Sequence, residues 1–333
     1  MTNRSEIVVS VVIPAYDSAE YIQTALNSVE AQTFRDYEII VVNDGSPDTY
    51  ALEAALQPYR SRIHYIHQPN RGPAAARNRA ILEARGKYIA FLDSDDFWHP
   101  DHLTTQVAML RSDPTLGLVY CDSQLLKNGV RFRRTFECES QVLPVTFDAL
   151  LEEVCTVHTS TTVALRHELI EAGLFDEALI RCEDFDLWLR MAFRGTRMTR
   201  HSQANVSRTV SQNSLSGNEY LMRQARLAVL SKVGSCLALS HSQRGLLAKR
   251  LRVAQAMVSL DQFKLLMKAE QFADALEAAR HAVSVLPNWK LKLAVSGLRR
   301  APYVVRACYR FHERALAARS QRRLSRFARA ASA

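Results

Sequence analysis

Short apolar runs alternate with segments of helical periodicity over the first 121 residues. Runs such as IVVSVVI, with almost no polar interruption, are typical of strands buried on both faces. The pattern predicts strands at 7–13, 37–42, 62–67, 88–92 and 117–121. Apolar residues spaced three and four apart predict helices at 20–31, 48–59 and 74–85, and another from about residue 100. This order favours an α/β, Rossmann-like fold with a mostly parallel central sheet and helices on both faces.

The remainder of the chain follows a different pattern. Residues 126–158 show no clear period, and weaker signals indicate a strand at 159–165 and helices at 167–177 and 183–193. From about residue 219 the pattern is helical, and 269–287 resembles one half of a tetratricopeptide-like helix pair. We therefore predict two domains, an α/β domain over 1–218 and an all-α extension over 219–333.

Charge is divided unevenly between these two regions. Residues 221–333 hold 22 Lys and Arg against 5 Asp and Glu, a net charge of +17, whereas the first 220 residues carry −8. A basic region attracts phosphate groups, so an anionic membrane surface and nucleic acid are both candidate partners. A solvated helical face with no partner is the alternative interpretation.

The basic residues of the tail alternate with apolar and aromatic ones. Trp289, Tyr303 and Tyr309 lie among them, which is typical of a helix at a membrane surface. No sequence signature of a nucleic-acid-binding module is present, so we predict an anionic membrane surface and no nucleic acid. The cations of this stretch are Lys290, Lys292, Arg299, Arg300, Arg306, Arg310, Arg314, Arg319, Arg322, Arg323, Arg326 and Arg329.

Composition excludes several classes of protein. Hydrophobic residues make up 47% and charged residues 23%, so collagen-like, disordered and disulfide-rich chains are excluded. No run of 18 apolar residues predicts a spanning helix, and the N-terminal apolar run lacks a signal-peptide cleavage site. We expect a cytoplasmic protein, with peripheral attachment to the inner face of the cell membrane as the alternative.

Three predicted strands end in polar clusters. These are Pro14-Ala15-Tyr16-Asp17, Asn43-Asp44-Gly45-Ser46 and Asp93-Ser94-Asp95-Asp96. Ligands of open α/β sheets bind outside the carboxyl ends of the strands, so the clusters should converge on one cleft. The adjacent carboxylates of the third cluster repel each other, and a divalent cation shared with substrate phosphates would offset this. A solvated acidic turn or a helix cap is the alternative.

Known nucleotide-binding signatures are missing. The chain contains neither G-x-G-x-x-G nor G-K-[ST], which excludes the dinucleotide-binding and P-loop motifs. Asp44 could accept a hydrogen bond from a base, and Arg77 could contact a base carbonyl or a phosphate. The alternative interpretations are that Asp44 only forms a turn and that Arg77 is a surface residue.

Three stretches together resemble family 2 glycosyltransferases with the GT-A fold. They are VSVVIPAYDSAEYIQTALNSVEAQTFRDYEIIVVNDGSPD (9–48), NRGPAAARNRAILEARGKYIAFLDSDDFWHPDHL (70–103) and AGLFDEALIRCEDFDLWLRMAFRG (172–195). The resemblance extends over about residues 7–216. It implies an inverting reaction, a nucleotide-sugar donor and a divalent cation, Mg²⁺ or Mn²⁺.

The resemblance also implies roles for individual residues. On the donor side, the nucleoside would be flanked by Pro14, Ala15 and Tyr16, the base edge would be bound by Asp44, and Arg77 would contact the base or the diphosphate. Asp93 and Ser94 would contact the donor, and Asp93 and Asp95 would bind the metal. Asp184 would be the general base. In the last conserved segment the family often has Tyr-Arg-x-His. This chain has Ser207 and Val210 at the outer positions, so Arg208 alone is retained as a diphosphate contact.

The chemistry of inversion agrees with a single base. One carboxylate must take the acceptor proton from within about 3 Å, whereas a glycoside hydrolase uses a pair of carboxylates. Asp184 at a helix start would stay ionised, although such acids also occur there without a catalytic role. Trp188, one turn further, fits a sugar platform or the core, and His158 is interpreted as structural.

We therefore predict an inverting glycosyltransferase. The donor is expected to be a UDP-sugar, and the acceptor a hydroxyl of a saccharide or lipid-linked molecule in cell-envelope polysaccharide or lipopolysaccharide synthesis. The alternative is a non-catalytic scaffold or binding protein built on a GT-A domain with a helical interaction tail. A nucleotidyltransferase would need a Gly- and Lys-rich nucleotide loop that the sequence lacks.

Overall fold

The computed structural model describes residues 7–127, 129–210, 214–287 and 289–311. The chain divides into two compact units, Met1–Ser211 and Gln212–Ala333. The last part of the basic stretch predicted to contact a membrane lies outside the described residues; it contains Arg314, Arg319, Arg322, Arg323, Arg326 and Arg329.

The strands of the first unit form one sheet. Those in the described residues are Val9–Ala15 (β1), Tyr37–Asp44 (β2), Ile63–Gln68 (β3), Tyr88–Phe91 (β4), Phe97–Trp98 (β5), Leu116–Lys127 (β6), Val130–Arg134 (β7), Thr162–Leu165 (β8) and Arg197–Thr209 (β9). They follow the order β3-β2-β1-β4-β8-β6-β9-β5, and β7 pairs with β6.

Seven helices are described in the first unit. They are Ile22–Glu30 (α1), Thr49–Leu56 (α2), Pro73–Glu83 (α3), His102–Ser112 (α4), Phe147–Leu151 (α5), Arg166–Glu171 (α6) and Glu183–Phe193 (α7). Short 3₁₀ turns at Gln57–Tyr59, Thr135–Glu137 and Thr159–Thr161 add to them.

The predicted parallel sheet is present over β1 to β4. β1 pairs in parallel with both β2 and β4, so that Val9 lies opposite Tyr37 on one side and Tyr88 on the other. Beyond β4 the sheet is mixed, since β8 runs antiparallel to β4 and β6 while β9 is parallel to β6. The carboxyl ends of β1, β2 and β4 therefore meet at one edge.

Both faces of the sheet are covered by helices. Alternate residues of β1 and β2, such as Val11 and Ile39, share a buried cluster with residues of α1, α2 and α4. On the opposite face, α3 packs against β1 and β2, and Phe91 of β4 contacts Trp188 of α7. Strands covered in this way need apolar side chains at most positions on both faces, which explains the nearly continuous apolar runs in the sequence.

Two parts of the first unit differ from the prediction. Residues 126–158, expected to be irregular, contain the end of β6, β7 and α5. The long strand β9 was not predicted at all. Its sequence RMTRHSQANVSRT is largely polar, and most of its residues are only partly buried, so it carries no clear apolar period.

The second unit is helical, as the sequence predicted. Its described helices are Glu219–Cys236 (α8), His241–Lys268 (α9), Phe272–Val285 (α10), Trp289–Leu298 (α11) and residues 302–311 (α12). Ser240 caps α9, and its hydroxyl accepts a hydrogen bond from the Gln243 amide. Small residues at Ala275, Ala279 and Ala282 are fully buried in the core of this unit. Within the described residues, no helix combines the length and apolarity needed to cross a bilayer.

Candidate active site

The loops after β1 and β2 are joined to each other. Ala15 is buried, Pro14 is half-buried and Tyr16 is exposed at the end of β1. The backbone N–H of Asp17 donates to Ser46 Oγ at 2.7 Å, and the N–H of Ala19 donates to Asp48 Oδ2 at 2.7 Å. The predicted nucleoside-flanking residues thus lie beside the turn that follows Asp44.

Asp44 is buried and organises a neighbouring loop. Its Oδ1 accepts from Gln68 Nε2 and from the backbone N–H of Arg71, and its Oδ2 accepts from the N–H of Gly72, at 2.8–2.9 Å. These contacts hold the segment that leads into α3. The predicted base contact of Asp44 therefore falls on a carboxylate that already has a structural role.

Arg77 of α3 links two acidic segments. Its guanidinium donates to Glu183 Oε1 at 2.6 Å and to Asp93 Oδ1 at 2.7 Å, and the side chain is buried. Burial alone would lower the pKa of Arg77, but the charges of Asp93 and Glu183 raise it. Through Arg77 the end of β4 and the start of α7 are brought together.

The acidic cluster after β4 occupies three different environments. Burial favours a raised pKa at Asp93, but the charge and hydrogen bond of Arg77 lower it overall. Burial and then the charge of Asp93 raise the pKa of Asp95 to about 6. Burial and the charge of Asp95 raise the pKa of Asp96 to about 8. The negative charge at Asp95 is therefore destabilised, which a cation would reverse.

Arg208, predicted as a diphosphate contact, lies close to this cluster. Its charge lowers the pKa of Asp93, Asp95 and Asp96, although burial and the charge of a neighbouring aspartate outweigh it at the last two. The adjacent Thr209 donates its backbone N–H to Asp96 Oδ1 at 2.8 Å and its hydroxyl to the Asp95 carbonyl at 2.7 Å. The end of β9 thus fastens the acidic loop, in which half-buried Ser94 stands between Asp93 and Asp95.

The first turn of α7 carries three acids with different partners. Glu183 receives the Arg77 guanidinium, and Asp186 receives that of Arg190 at 2.8 Å. Asp184 Oδ2 instead accepts a hydrogen bond from the neutral hydroxyl of Thr159 at 3.1 Å. Its neighbours are thus neutralised by guanidinium groups, whereas Asp184 is oriented by a hydroxyl. This difference singles out Asp184 as the carboxylate suited to accept a proton.

The backbone before α7 adopts an unusual conformation. Cys182 has a φ of 59°, in the left-handed region, which residues other than glycine seldom occupy. Such conformations cluster at functional sites, where the surrounding structure maintains them. Cys182 occupies the N-cap position of α7, so this conformation sets how the chain enters the helix that begins with Glu183 and Asp184.

Trp188 belongs to the core. It is 1% exposed and packs edge-on against Phe91 and Phe175, with ring centroids 6.2 and 6.1 Å away. A sugar ring cannot stack on a side chain that is covered in this way. Of the two interpretations of Trp188, the structure therefore selects packing.

Several residues of the site were not predicted from the sequence. Thr159 contacts Asp184, and Ser160 Oγ accepts a hydrogen bond from the Asp93 backbone N–H at 3.1 Å. His158, taken as structural, lies 2.9 Å from Glu139. Burial opposes ionisation of Glu139, but His158 and the charge of Arg208 lower its pKa. Contacts between distant segments create these roles, so no local sequence signal could have identified Thr159 or Ser160.

A family model supports the resemblance seen in the sequence. Residues 10–173 match the model described as glycosyl transferase family 2. The matched range contains the strand-end clusters and Arg77, and it ends before α7.

Relatives with names of the same kind match between about half and two thirds of the chain. An uncharacterized glycosyltransferase of Rickettsia conorii is 33% identical over 189 residues, 55% of this chain and 31% of that protein. The amylovoran biosynthesis glycosyltransferase AmsB of Erwinia amylovora is 31% identical, over 56% of this chain and 64% of its own length. The putative teichuronic acid biosynthesis glycosyltransferase TuaG of Bacillus subtilis is 29% identical, over 66% and 85%. The chain thus spans less than two thirds of the first two of these relatives.

Solved structures share the fold. S. aureus TarS 1-349, in complex with UDP-GlcNAc, has a TM-score of 0.64 at 20% identity and 92% coverage of both chains. The mannosyltransferase PcManGT of Pyrobaculum calidifontis, in complex with GDP-Man and Mn²⁺, has a TM-score of 0.56 at 18% identity, with 90% of this chain and 86% of that chain covered. The predicted GT-A fold with a C-terminal helical region is confirmed.

Proposed function

The chain belongs to glycosyl transferase family 2 through residues 10–173, and from this premise we propose that it is an inverting glycosyltransferase. It would move a sugar from a nucleotide-diphosphate donor to a hydroxyl of a saccharide or lipid-linked acceptor. The names of AmsB and TuaG support a role in cell-envelope polysaccharide or lipopolysaccharide synthesis. The UDP-GlcNAc complex of TarS supports a UDP-sugar as donor.

We assign the donor to the edge formed by β1, β2 and β4. Pro14, Ala15 and Tyr16 would contact the nucleoside beside Asp44, and Arg208 would contact the diphosphate. Arg77 donates to Asp93 and Glu183 from a buried position, which supports a positioning role over direct contact with the donor.

The carboxylates of Asp93 and Asp95 fit a divalent cation, Mg²⁺ or Mn²⁺, that is shared with the donor. In the described part of the chain, no three His, Cys, Asp or Glu side chains are arranged to hold a metal ion by themselves. Two carboxylates completed by substrate phosphates are a common arrangement for Mg²⁺. When bound, the ion would offset the charge that develops on the diphosphate leaving group.

The reaction that we propose needs one base. The acceptor hydroxyl gives its proton to Asp184, and its oxygen forms a bond to the anomeric carbon of the sugar from the face opposite the diphosphate. The bond from that carbon to the diphosphate oxygen breaks, and its electron pair leaves with the nucleoside diphosphate. Configuration at the anomeric carbon is thereby inverted.

One observation carries this proposal. Arg77 lies within 2.7 Å of both Asp93 and Glu183, which brings the strand-end acids for the donor next to the helix that bears Asp184. A base for the acceptor and a carboxylate pair for the leaving group are the two elements that an inverting transfer requires.

Calorimetry with UDP, GDP and dTDP, with and without Mn²⁺, tests the proposal. We expect one nucleotide to bind in a Mn²⁺-dependent manner, and Asp95→Asn to weaken this binding at least tenfold, since one of two metal-binding carboxylates is lost. Asp101→Asn, at the aspartate in the N-cap position of α4, is the matched control and should bind like the wild type.

Failure of all three nucleotides to bind would contradict the proposal and favour a scaffold protein. Equal loss in Asp95→Asn and Asp101→Asn would indicate a general effect on folding. Binding without Mn²⁺ that Asp95→Asn leaves intact would reject the metal site but retain the donor.

A further inference from the structure

Helix α11 carries apolar residues on two opposite faces. Leu291 and Leu298 are buried in the core of the second unit. Trp289 and Leu293 lie one turn apart and are 66% and 61% exposed. At 100° per residue, these two side chains project away from Leu291. The core of the unit therefore accounts for one face of α11 and leaves the other apolar face uncovered.

Helix α12 repeats this division. Val305 and Tyr309 pack against the same core. Tyr303, Val304 and Phe311 are exposed, Phe311 to 76%. Soluble proteins seldom expose large apolar side chains in groups unless the surface has a binding role. We call the exposed residues Trp289, Leu293, Tyr303, Val304 and Phe311 the tail surface.

The charged residues of the stretch that carries the tail surface all have one sign. No Asp or Glu occurs between Glu277 and Glu313, whereas this stretch contains Lys290, Lys292, Arg299, Arg300, Arg306 and Arg310. Arg306 pairs with Glu270 at 2.6 Å and so serves the fold. The ammonium of Lys290 lies 5.9 Å from the centre of the Trp289 ring. One cation therefore lies beside the exposed Trp289 ring, and others are close to the apolar residues in the sequence.

We propose that the tail surface binds an anionic phospholipid bilayer, with its apolar side chains in the headgroup boundary and its cations on lipid phosphates. Helices of this kind insert their apolar face by about 5–10 Å. Long Lys and Arg side chains can reach outward to the headgroups while their stems stay apolar. The proposal rests on the second unit and does not depend on the activity of the first.

Charge and polarity argue against the other occupants. A second copy of the chain would bring two surfaces of the same positive sign together, which is unfavourable. A nucleic acid would supply phosphates, but it offers no apolar phase for Leu293 and Val304. An anionic bilayer supplies both.

Sedimentation of the full chain with vesicles tests the proposal. We expect binding to phosphatidylcholine vesicles that contain phosphatidylglycerol, little binding to phosphatidylcholine alone, and weaker binding as salt rises. The pair Leu293→Ser and Phe311→Ser should reduce the partition coefficient at least about tenfold, and so should the pair Lys292→Gln and Arg300→Gln. Leu265→Ser, at a 48% exposed leucine of α9, is the matched control and should bind like the wild type.

Three outcomes would overturn the proposal. The first is no binding of the wild type to anionic vesicles. The second is binding that the tail variants and Leu265→Ser reduce equally. The third is that the wild type binds no vesicles but forms a dimer or binds an RNA oligonucleotide, and that the tail variants lose this property. Calorimetric nucleotide binding should be unchanged in all variants, which separates this test from that of the proposed function.

Discussion

The two units of the chain place charged and apolar side chains in opposite ways. In the first unit Arg77, Asp93 and Glu183 form an ion-pair network with a buried arginine at its centre, while the large apolar residues fill the core. In the second unit the cations of α11 and α12 accompany exposed Trp289 and Leu293. Burying ions is costly, so the first arrangement indicates a site that needs fixed charges. Exposing apolar groups beside cations indicates a surface that needs a partner.

Removing the proposed base should have the largest effect. Asp184→Asn keeps the shape of the side chain but cannot accept the acceptor proton, so we expect the transfer rate to fall by about 10²–10⁴-fold. Nucleotide binding should be retained. The rate is measured as released nucleoside diphosphate. Asp148→Asn, at a first-turn aspartate of α5, is the control and should keep the wild-type rate. A rate unchanged by Asp184→Asn would remove this residue from the mechanism.

Breaking the buried network should destabilise the first unit strongly. Arg77→Met leaves Asp93 and Glu183 without their shared cation, and we expect a loss of about 3–5 kcal/mol in the free energy of unfolding. Urea denaturation measures it. Arg79→Met, two residues along the same helix, removes an exposed pair with Glu83 and should change stability by less than about 1 kcal/mol. Equal effects would show that burial of Arg77 has no special weight.

Loss of the Thr159 hydroxyl should affect turnover more than binding. A hydrogen bond to a charged group contributes about 1.5–3 kcal/mol, so Thr159→Val should lower kcat by about 10–100-fold through misorientation of Asp184. The KM for the donor should change little. Thr159→Ser retains the hydroxyl and should recover most of the rate. If Thr159→Ser and Thr159→Val are equally slow, the contact has a packing role alone.

His102 gives the first unit a distinct pH dependence. Burial first, and then the charges of His201 and His99, lower the pKa of His102 well below its ordinary value. The unfolded chain therefore binds a proton that the folded chain excludes, and stability is lost as pH falls below about 6.5. The carboxylates with raised pKa values, such as Asp95 and Asp96, instead make the folded state more stable as pH falls. The contribution of His102 is therefore isolated by comparing the wild type with a variant that retains these carboxylates.

We expect the free energies of unfolding of the wild type and His102→Gln to converge on acidification. Their difference should shift by about 1.4 kcal/mol in favour of the variant between pH 7.5 and pH 5.5. Urea denaturation at both pH values measures this shift. The same substitution at exposed His64 is the matched control. A constant difference would mean that folding does not change the proton binding of His102 over this range.

The smallest effect is expected within α11. Leu293→Ala removes an exposed side chain and should change the stability of the second unit by no more than about 0.5 kcal/mol. Leu291→Ala, two residues earlier, empties a buried position and should cost about 2–5 kcal/mol. Thermal unfolding compares the two. A large loss in Leu293→Ala would show that this side chain belongs to the core and not to the tail surface.

Most elements of the fold could be predicted from local patterns. The strands β1, β2 and β4 carry nearly continuous apolar runs because helices cover both of their faces, and each was predicted near its observed position. β9 could not be predicted, because its residues at the less covered part of the sheet are polar. Trp188 had two interpretations because helical spacing alone does not say whether a side chain faces the core or a cleft.

The sequence by itself determined the elements, the division of charge between the two regions, and the acids that follow the strands. These depend on local periodicity and composition. Only the tertiary structure decided how Glu183 and Asp184 differ, because Arg77 and Thr159 reach them from separate places in the fold, whereas Asp186 pairs with Arg190 four residues further along the same helix. It also decided which leucines of α11 are buried and which are exposed, since that depends on where α10 packs. Burial and long-range contacts set the charge state and orientation of a side chain, and the residues next to it in the sequence do not determine its burial or its long-range contacts.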